Sequence, residues 1–197
     1  LSMIANRAME AELTGFEFAA GIPGTLGGAC VMNAGAYGGE MKDVLETVTV
    51  LTRDGDVKTL TKDELELGYR TSVIAKKDYI VLSAVIRLEN GRKEEIKAVM
   101  DDLKEKRITK QPLEYPSAGS TFKRPEGYFA GKLIQDAGLR GFQVGGAQVS
   151  EKHCGFVVNK DQATAADVMN LMNQVSDKVY EMSGVRLEPE VKRLGVF

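Results

Sequence analysis

The sequence predicts an α+β fold, and three observations carry that expectation. Apolar residues recur at helical spacing, over charged faces, from Lys93 to Lys106 and from Thr164 to about Gly184. Glu46–Leu51 and Val57–Thr61 flank Asp54-Gly55, a strong hairpin signal. Tyr79 to Glu89 alternates, with Ile80, Leu82, Ala84, Ile86 and Leu88 on one face of a strand. The first part is thus β-rich, and the second is α+β with helices packed on a short sheet.

The elements follow in order. Leu1 to Glu12 is predicted helical, with Leu1, Ile4, Ala5, Ala8 and Met9 on one face. A glycine-dense segment, the hairpin and the alternating strand complete a β-rich first part. Asn90-Gly91 is a turn and the candidate boundary between two domains, 1–90 and 91–197. The helix over Lys93–Lys106 turns Ile96, Val99, Met100 and Leu103 inward. Gln111 to Pro125 is punctuated by proline and glycine and is expected as loop. Tyr128 to Ala137 is a short helix closed by Gly138. Gly141 to Gly146 is loop or strand edge, and Gly155 to Val158 a strand. Thr164 is an N-cap with Asp167 three residues on, and its helix turns Val168, Leu171, Met172, Val175 and Val179 inward. Val185 to Phe197 is expected as a final strand interrupted by Pro189.

Bulk properties remove several function classes. The chain has 197 residues, 43% of them hydrophobic and 27% charged, the make-up of a globular domain or two. A formal net charge of −2 gives no drive toward nucleic acid. No apolar run approaches the ~20 residues of a membrane span, and the start lacks the pattern of a signal peptide. Cys30 and Cys154 have neither disulfide-framework nor metal-ligand spacing, which points to a reducing, cytoplasmic setting. The chain starts at Leu1, inside a helical pattern, so an upstream region is expected.

Gly21-Ile-Pro-Gly-Thr-Leu-Gly-Gly-Ala-Cys-Val-Met-Asn-Ala-Gly-Ala-Tyr-Gly-Gly39 is the densest glycine run. Glycine lets a main chain approach a ligand closely, and successive N–H groups in such turns bind anions. A buried set of tight turns would use glycine equally well. Pro23 stiffens the run, and Asn33 and Tyr37 place polar groups in its middle. It is neither a P-loop, since Gly28 is followed by Ala29 and Cys30, nor a G-x-G-x-x-G turn.

Four further places carry candidate chemistry. In Gly119-Ser120-Thr121-Phe122-Lys123-Arg124-Pro125 a hydroxyl precedes two cations, a set that could serve an anionic substrate or form an ordinary basic turn. Tyr69-Arg70 could clamp a carboxylate or phosphate, or form a surface ion pair. Glu190 follows Pro189 and, if inward, needs a cationic or proton-sharing partner; otherwise it is a strand-edge carboxylate. His153, the only histidine, lies in Ser150-Glu-Lys-His-Cys-Gly155 and lacks companions for a metal site, so no metal is expected. A Ser120–His153 hydrolase triad fails the G-x-S-x-G pattern, and Cys154 beside His153 is a weaker nucleophile candidate.

Taken together these segments resemble one family, UDP-N-acetylenolpyruvoylglucosamine reductase, the flavoenzyme called MurB. The resemblance runs along the whole chain. It rests on Gly15–Gly28, Met32–Gly38, Tyr69–Ser72, Ala118–Pro125, Phe129–Ile134, Gly138–Gly141 and Leu187–Val191, in that order. The passage from Tyr69-Arg70 straight to the alternating strand looks like the shorter subtype. The resemblance implies part of an FAD-binding domain over 1–90 and a substrate-binding domain over 91–197. It implies NADPH-dependent reduction, through bound FAD, of UDP-N-acetylglucosamine enolpyruvate to UDP-N-acetylmuramate, a step of peptidoglycan precursor synthesis. Carried over residue by residue, Arg70 and Glu190 polarise the substrate carboxylate as hydride arrives, and Ser120 protonates the adjacent carbon. Gly21, Ile22, Pro23, Gly24, Gly27, Gly28 and Asn33 are expected at the cofactor. Tyr69, Lys123, Arg124, Lys152 and His153 are expected at the substrate, with Lys123 a candidate activator of Ser120.

Members of that family carry a flavin-binding region before the helix at Leu1, with its own glycine and Ser-Asn loop for the FAD pyrophosphate. The glycine run here is then one half of a cradle, and the 197-residue chain by itself is expected to hold FAD weakly or not at all. The alternative expectation is a non-catalytic fragment that binds the UDP-sugar without the flavin.

Overall fold

The computed structural model describes residues 1–195. Its backbone forms two compact units, Leu1–Arg107 and a second from Ile108 on, so the division falls inside the last turns of a long helix. The α+β expectation holds in both.

In the first unit the elements are α1 (Ser2–Glu10), β1 (Leu13–Thr14), a 3₁₀ turn (Glu17–Ala19), α2 (Leu26–Val31), β2 (Gly35–Ala36), β3 (Gly39–Glu40), α3 (Met41–Val44), β4 (Leu45–Leu51), β5 (Val57–Thr61), α4 (Val73–Lys76), β6 (Ile80–Ile86), β7 (Glu89–Asn90) and α5 (Lys93–Lys110). The main sheet is antiparallel with order β5-β4-β6, and the predicted hairpin turns at Gly55, whose φ is 90°. Phe16, Met41, Leu45, Val48, Val50, Leu65 and Ile74 form the core with α2 packed over β6. Removing such side chains from water stabilises the unit by about 1.5–3 kcal/mol each.

The alternation predicted for β6 is broken by a bulge. Thr49 pairs with Ser83 and Val50 with Val81, which leaves Leu82 as an extra residue. The extra residue inverts the facing of everything before it. Ile80 and Leu82, expected inward, are 53% and 52% exposed, and Val81 packs on the core instead. In α5, Ile96 is buried as expected but Val99 is exposed, and the helix runs to Lys110.

The second unit holds β8 (Ser117–Ser120), α6 (Ala130–Asp136), β9 (Gln143–Val144), β10 (Ala147–Val149), β11 (Phe156–Asn159) and α7 (Ala165–Ser183). The strands form one antiparallel sheet in the order β8-β11-β10-β9. α7 opens on a capping box between Thr164 and Asp167 and closes on left-handed Gly184, as its sequence predicts. Leu171, Met172, Val175 and Val179 of α7 meet Leu133, Ile134, Val149 and Phe122 in a second core. β8 lies where loop was expected, because its partner β11 is distant in sequence; β10, not among the expected strands, pairs with β9 across Gly145-Gly146 and with β11. The expected final strand is a single bridge between Phe122 and Pro189. Proline has no N–H to extend a ladder. Val196 and Phe197 lie outside the described residues. Among the described residues no helix is long and apolar enough to cross a membrane.

Candidate functional site

The glycine segment builds a tight turn that feeds α2. Thr25 caps the helix, its hydroxyl accepting from the Gly28 N–H at 3.1 Å. The Leu26 and Gly27 N–H groups at this helix start have no protein acceptor among the described residues. Gly24 has φ 132°, and a Cβ there would meet nothing within 4 Å. At Gly28 an added Cβ would meet only the Thr25 hydroxyl, at 3.5 Å. Gly21, Pro23, Gly24 and Gly28 are exposed and Ile22 and Gly27 partly so, while Ala29 and Cys30 are buried beneath them. An open glycine face with outward N–H groups fits the pyrophosphate of a dinucleotide cofactor such as FAD.

Asn33, grouped with the cofactor residues from sequence, has a different place. It is buried at φ 46°. Its amide donates to Glu40 Oε2 at 2.6 Å and to the Gly68 carbonyl at 3.1 Å, and its oxygen accepts from the Lys42 N–H at 2.8 Å. It braces the segment from within rather than facing outward.

The Gly68 bond leads to Arg70. Gly68 and Thr71 close a tight turn with mutual backbone bonds of 3.1 and 3.3 Å, and Arg70 at its tip has φ 55°. A left-handed arginine is strained, and the bonds on either side hold it there. One is Asn33 to Gly68; the other is Ser72, wholly buried, donating to the Val31 carbonyl at 2.6 Å. The guanidinium lies 5.1 Å from the centre of the exposed Tyr69 ring.

Ser120 and Glu190 belong to the second unit. Ser120 ends β8, exposed, opposite Phe156. Glu190 is half-buried on the segment that crosses Phe122, and its N–H donates to the Thr121 carbonyl at 2.9 Å. The chain therefore brings the Glu190 backbone to within one residue of Ser120.

The other substrate candidates are placed as follows. Lys123 is paired with Glu188, a partner the sequence did not reveal. Arg124 stacks 4.1 Å over the Phe129 ring. Lys152 Nζ donates to the Ile108 carbonyl at 2.8 Å and lies 3.7 Å from Glu114, at the edge of a polar cavity of about 400 Å³ that also holds Gln148, Ser150 and Lys160. His153 Nδ1 accepts from the Gly155 N–H at 3.0 Å, and its ring meets Phe156 edge-on. Desolvation on that packed side holds its pKa below the usual 6.5. Both cysteines are buried, and burial pushes the Cys30 thiol up to about 11 and raises Cys154. Neither has the lowered pKa of a nucleophilic thiol.

Residues 111–194 match the family model for the C-terminal domain of UDP-N-acetylenolpyruvoylglucosamine reductase, and residues 5–61 match one for an FAD binding domain. The crystal structure of UDP-N-acetylenolpyruvylglucosamine reductase (MurB) from Thermus caldophilus superposes with a TM-score of 0.82 at 39% identity, covering 95% of this chain and 68% of that one. The chain belongs to the MurB family. Reductases of that name from Agathobacter rectalis and Clostridioides difficile are 66% and 57% identical over 100% and 99% of this chain. The chain spans 63% and 64% of their respective lengths. Within this MurB chain the residues that sequence reasoning missed are Ser72 and Thr121, buried hydroxyls beside Arg70 and Ser120. Their motif neighbours drew attention, but their partners lie too far along the chain to be read.

Proposed function

We propose that this chain supplies the reacting residues of UDP-N-acetylenolpyruvoylglucosamine reduction, with FAD as cofactor and NADPH as reductant. Family membership and the arrangement of Ser120 beside the Glu190 segment support this reading, and the Glu190–Thr121 backbone bond is the observation that carries it. The flavin role falls on residues 1–90 and the substrate-binding domain on 91–197, with Tyr69 and Arg70 of the first part also assigned to the substrate.

Bound FAD would supply the hydride. Leu26, Gly27 and Gly28, with the open turn at Gly24, are the residues we assign to its phosphates; Gly21, Ile22 and Pro23 shape that turn, and Asn33 supports it. Arg70 meets the negative charge that grows on the substrate carboxylate as hydride adds to the vinyl carbon. A guanidinium held in place before the reaction needs no reorganisation as that charge forms. Glu190 is the second group we assign to that carboxylate. Ser120 hands its proton to the carbon left anionic, so the hydroxyl must be re-protonated between turnovers. Tyr69, Lys123, Arg124, Lys152 and His153 remain our candidates for the nucleotide-sugar, with Glu188 holding Lys123 in place.

The test pairs calorimetric titration of the nucleotide-sugar with an NADPH oxidation assay in the presence of FAD. Substrate-dependent NADPH oxidation supports the reductase. Binding without oxidation, even with FAD added, supports a UDP-sugar-binding fragment. Stoichiometric flavin on the purified 197-residue chain would contradict the expectation that it holds FAD weakly.

A further inference from the structure

Thr121 makes three contacts at the end of β8. Its N–H donates to the Gly155 carbonyl and its carbonyl accepts from the Glu190 N–H, both at 2.9 Å. Its hydroxyl accepts from the Val157 N–H, also at 2.9 Å. The residue is 3% exposed, so all three lie out of water.

The hydroxyl contact lies beside an irregularity in the strand register. Ser120 pairs with Phe156 but Ser117 with Val158, so β8 spends one residue more than β11 over the same stretch. The extra residue is accommodated around Ala118-Gly119, where Gly119 has φ 88°. A bulge of this kind re-aims the residue after it and breaks the ladder locally. The buried Val157 N–H donates to the Thr121 hydroxyl beside this bulge. Valine has the same shape as threonine and cannot accept that bond.

We propose that Thr121 is a positioning residue, a buried hub that fixes Ser120 and Glu190 relative to one another. The proposal rests on the roles given to Ser120 and Glu190 above. Through its hydroxyl Thr121 anchors the bulge that presents Ser120. Through its carbonyl it anchors the backbone of Glu190. Its branched side chain has few χ1 states, which keeps the hydroxyl on Val157.

Thr121→Val, Thr121→Ser and Thr121→Ala in the FAD-loaded protein test this. Three quantities are read: reduction of the flavin by NADPH, reoxidation of the reduced flavin by the enolpyruvyl substrate, and hydrogen exchange at the Glu190 amide. Thr121→Val is expected to slow reoxidation about 100-fold and to leave flavin reduction within about twofold. Glu190 exchange should accelerate about tenfold or more in Thr121→Val, because a buried donor has lost its acceptor nearby. Thr121→Ser keeps the hydroxyl and should stay near wild type. Wild-type reoxidation in Thr121→Val, or equal loss in both half-reactions, overturns the proposal. If Thr121→Val does not fold, the other pair decides: Ser near wild type with Ala slow supports it, and Ser as slow as Ala overturns it. Absence of wild-type turnover overturns the reductase reading, while unchanged Glu190 exchange in Thr121→Val overturns the hub itself.

Discussion

The side-chain amide of Asn33 donates to the Gly68 carbonyl at 3.1 Å, tying the glycine segment to the turn that carries Arg70. With Ser72 bonded to Val31 at 2.6 Å, the turn is fastened to that segment at both ends. These two bonds couple the backbone of the glycine segment to the turn that carries the arginine. Replacing Asn33 by Ala leaves the Lys42 N–H without its acceptor, takes one of two donors from the Gly68 carbonyl and places Ala in a left-handed conformation. The expected loss is about 2–4 kcal/mol, read from urea denaturation. A loss below about 1 kcal/mol would mean that the buried amide does not brace the loop.

Gly28 separates a folding role from a cofactor role. It lies within α2, and an added Cβ would meet only the Thr25 hydroxyl at ordinary contact distance. Gly28→Ala should hold or raise stability, by up to about 1 kcal/mol, since alanine is the better helix former. It should nevertheless weaken flavin binding about tenfold or more if the backbone approaches the cofactor there, a loss worth about 1.4 kcal/mol. Flavin fluorescence titration checks this in protein that binds FAD; unchanged affinity would remove Gly28 from the cradle.

Fold and site differ in how much of them could be read from sequence. Gly55 in its hairpin, the Thr164–Asp167 capping box and Gly184 are local devices, complete within a few residues, and sequence reveals them. The bulge at Leu82 and the strand β8 depend on register against strands elsewhere in the chain, which no local pattern encodes, whereas β9 and β10 meet across the local Gly145-Gly146 turn. Motif resemblance brought out Ser120, Arg70 and Glu190. It missed Thr121 and Ser72, whose partners lie 36 and 41 residues away. Asn33 is expected at the cofactor from its place in the glycine run, which sequence shows, while its internal bonds are not legible there.

His153 gives stability a pH dependence of known sign. Its folded pKa is depressed below the ordinary 6.5 by desolvation, with the Arg140 charge acting in the same direction. As pH falls through 6.5 the unfolded chain takes up the proton first, so stability falls between that value and the lower folded pKa. His153→Gln removes this acid-side slope and leaves the profile above it little changed. Urea midpoints for the two proteins across this range measure the difference, and parallel curves would contradict the assignment.

The most direct measurement of the central claim is stopped-flow reoxidation of the reduced flavin by the enolpyruvyl substrate, in FAD-loaded protein, with Ser120 or Ala at position 120. If Ser120 delivers the proton, Ser120→Ala slows product formation about 10²–10⁴-fold. Reduction of the flavin by NADPH, which needs no proton from Ser120, stays at the wild-type rate. Product formation by Ser120→Ala at the wild-type rate would contradict the account.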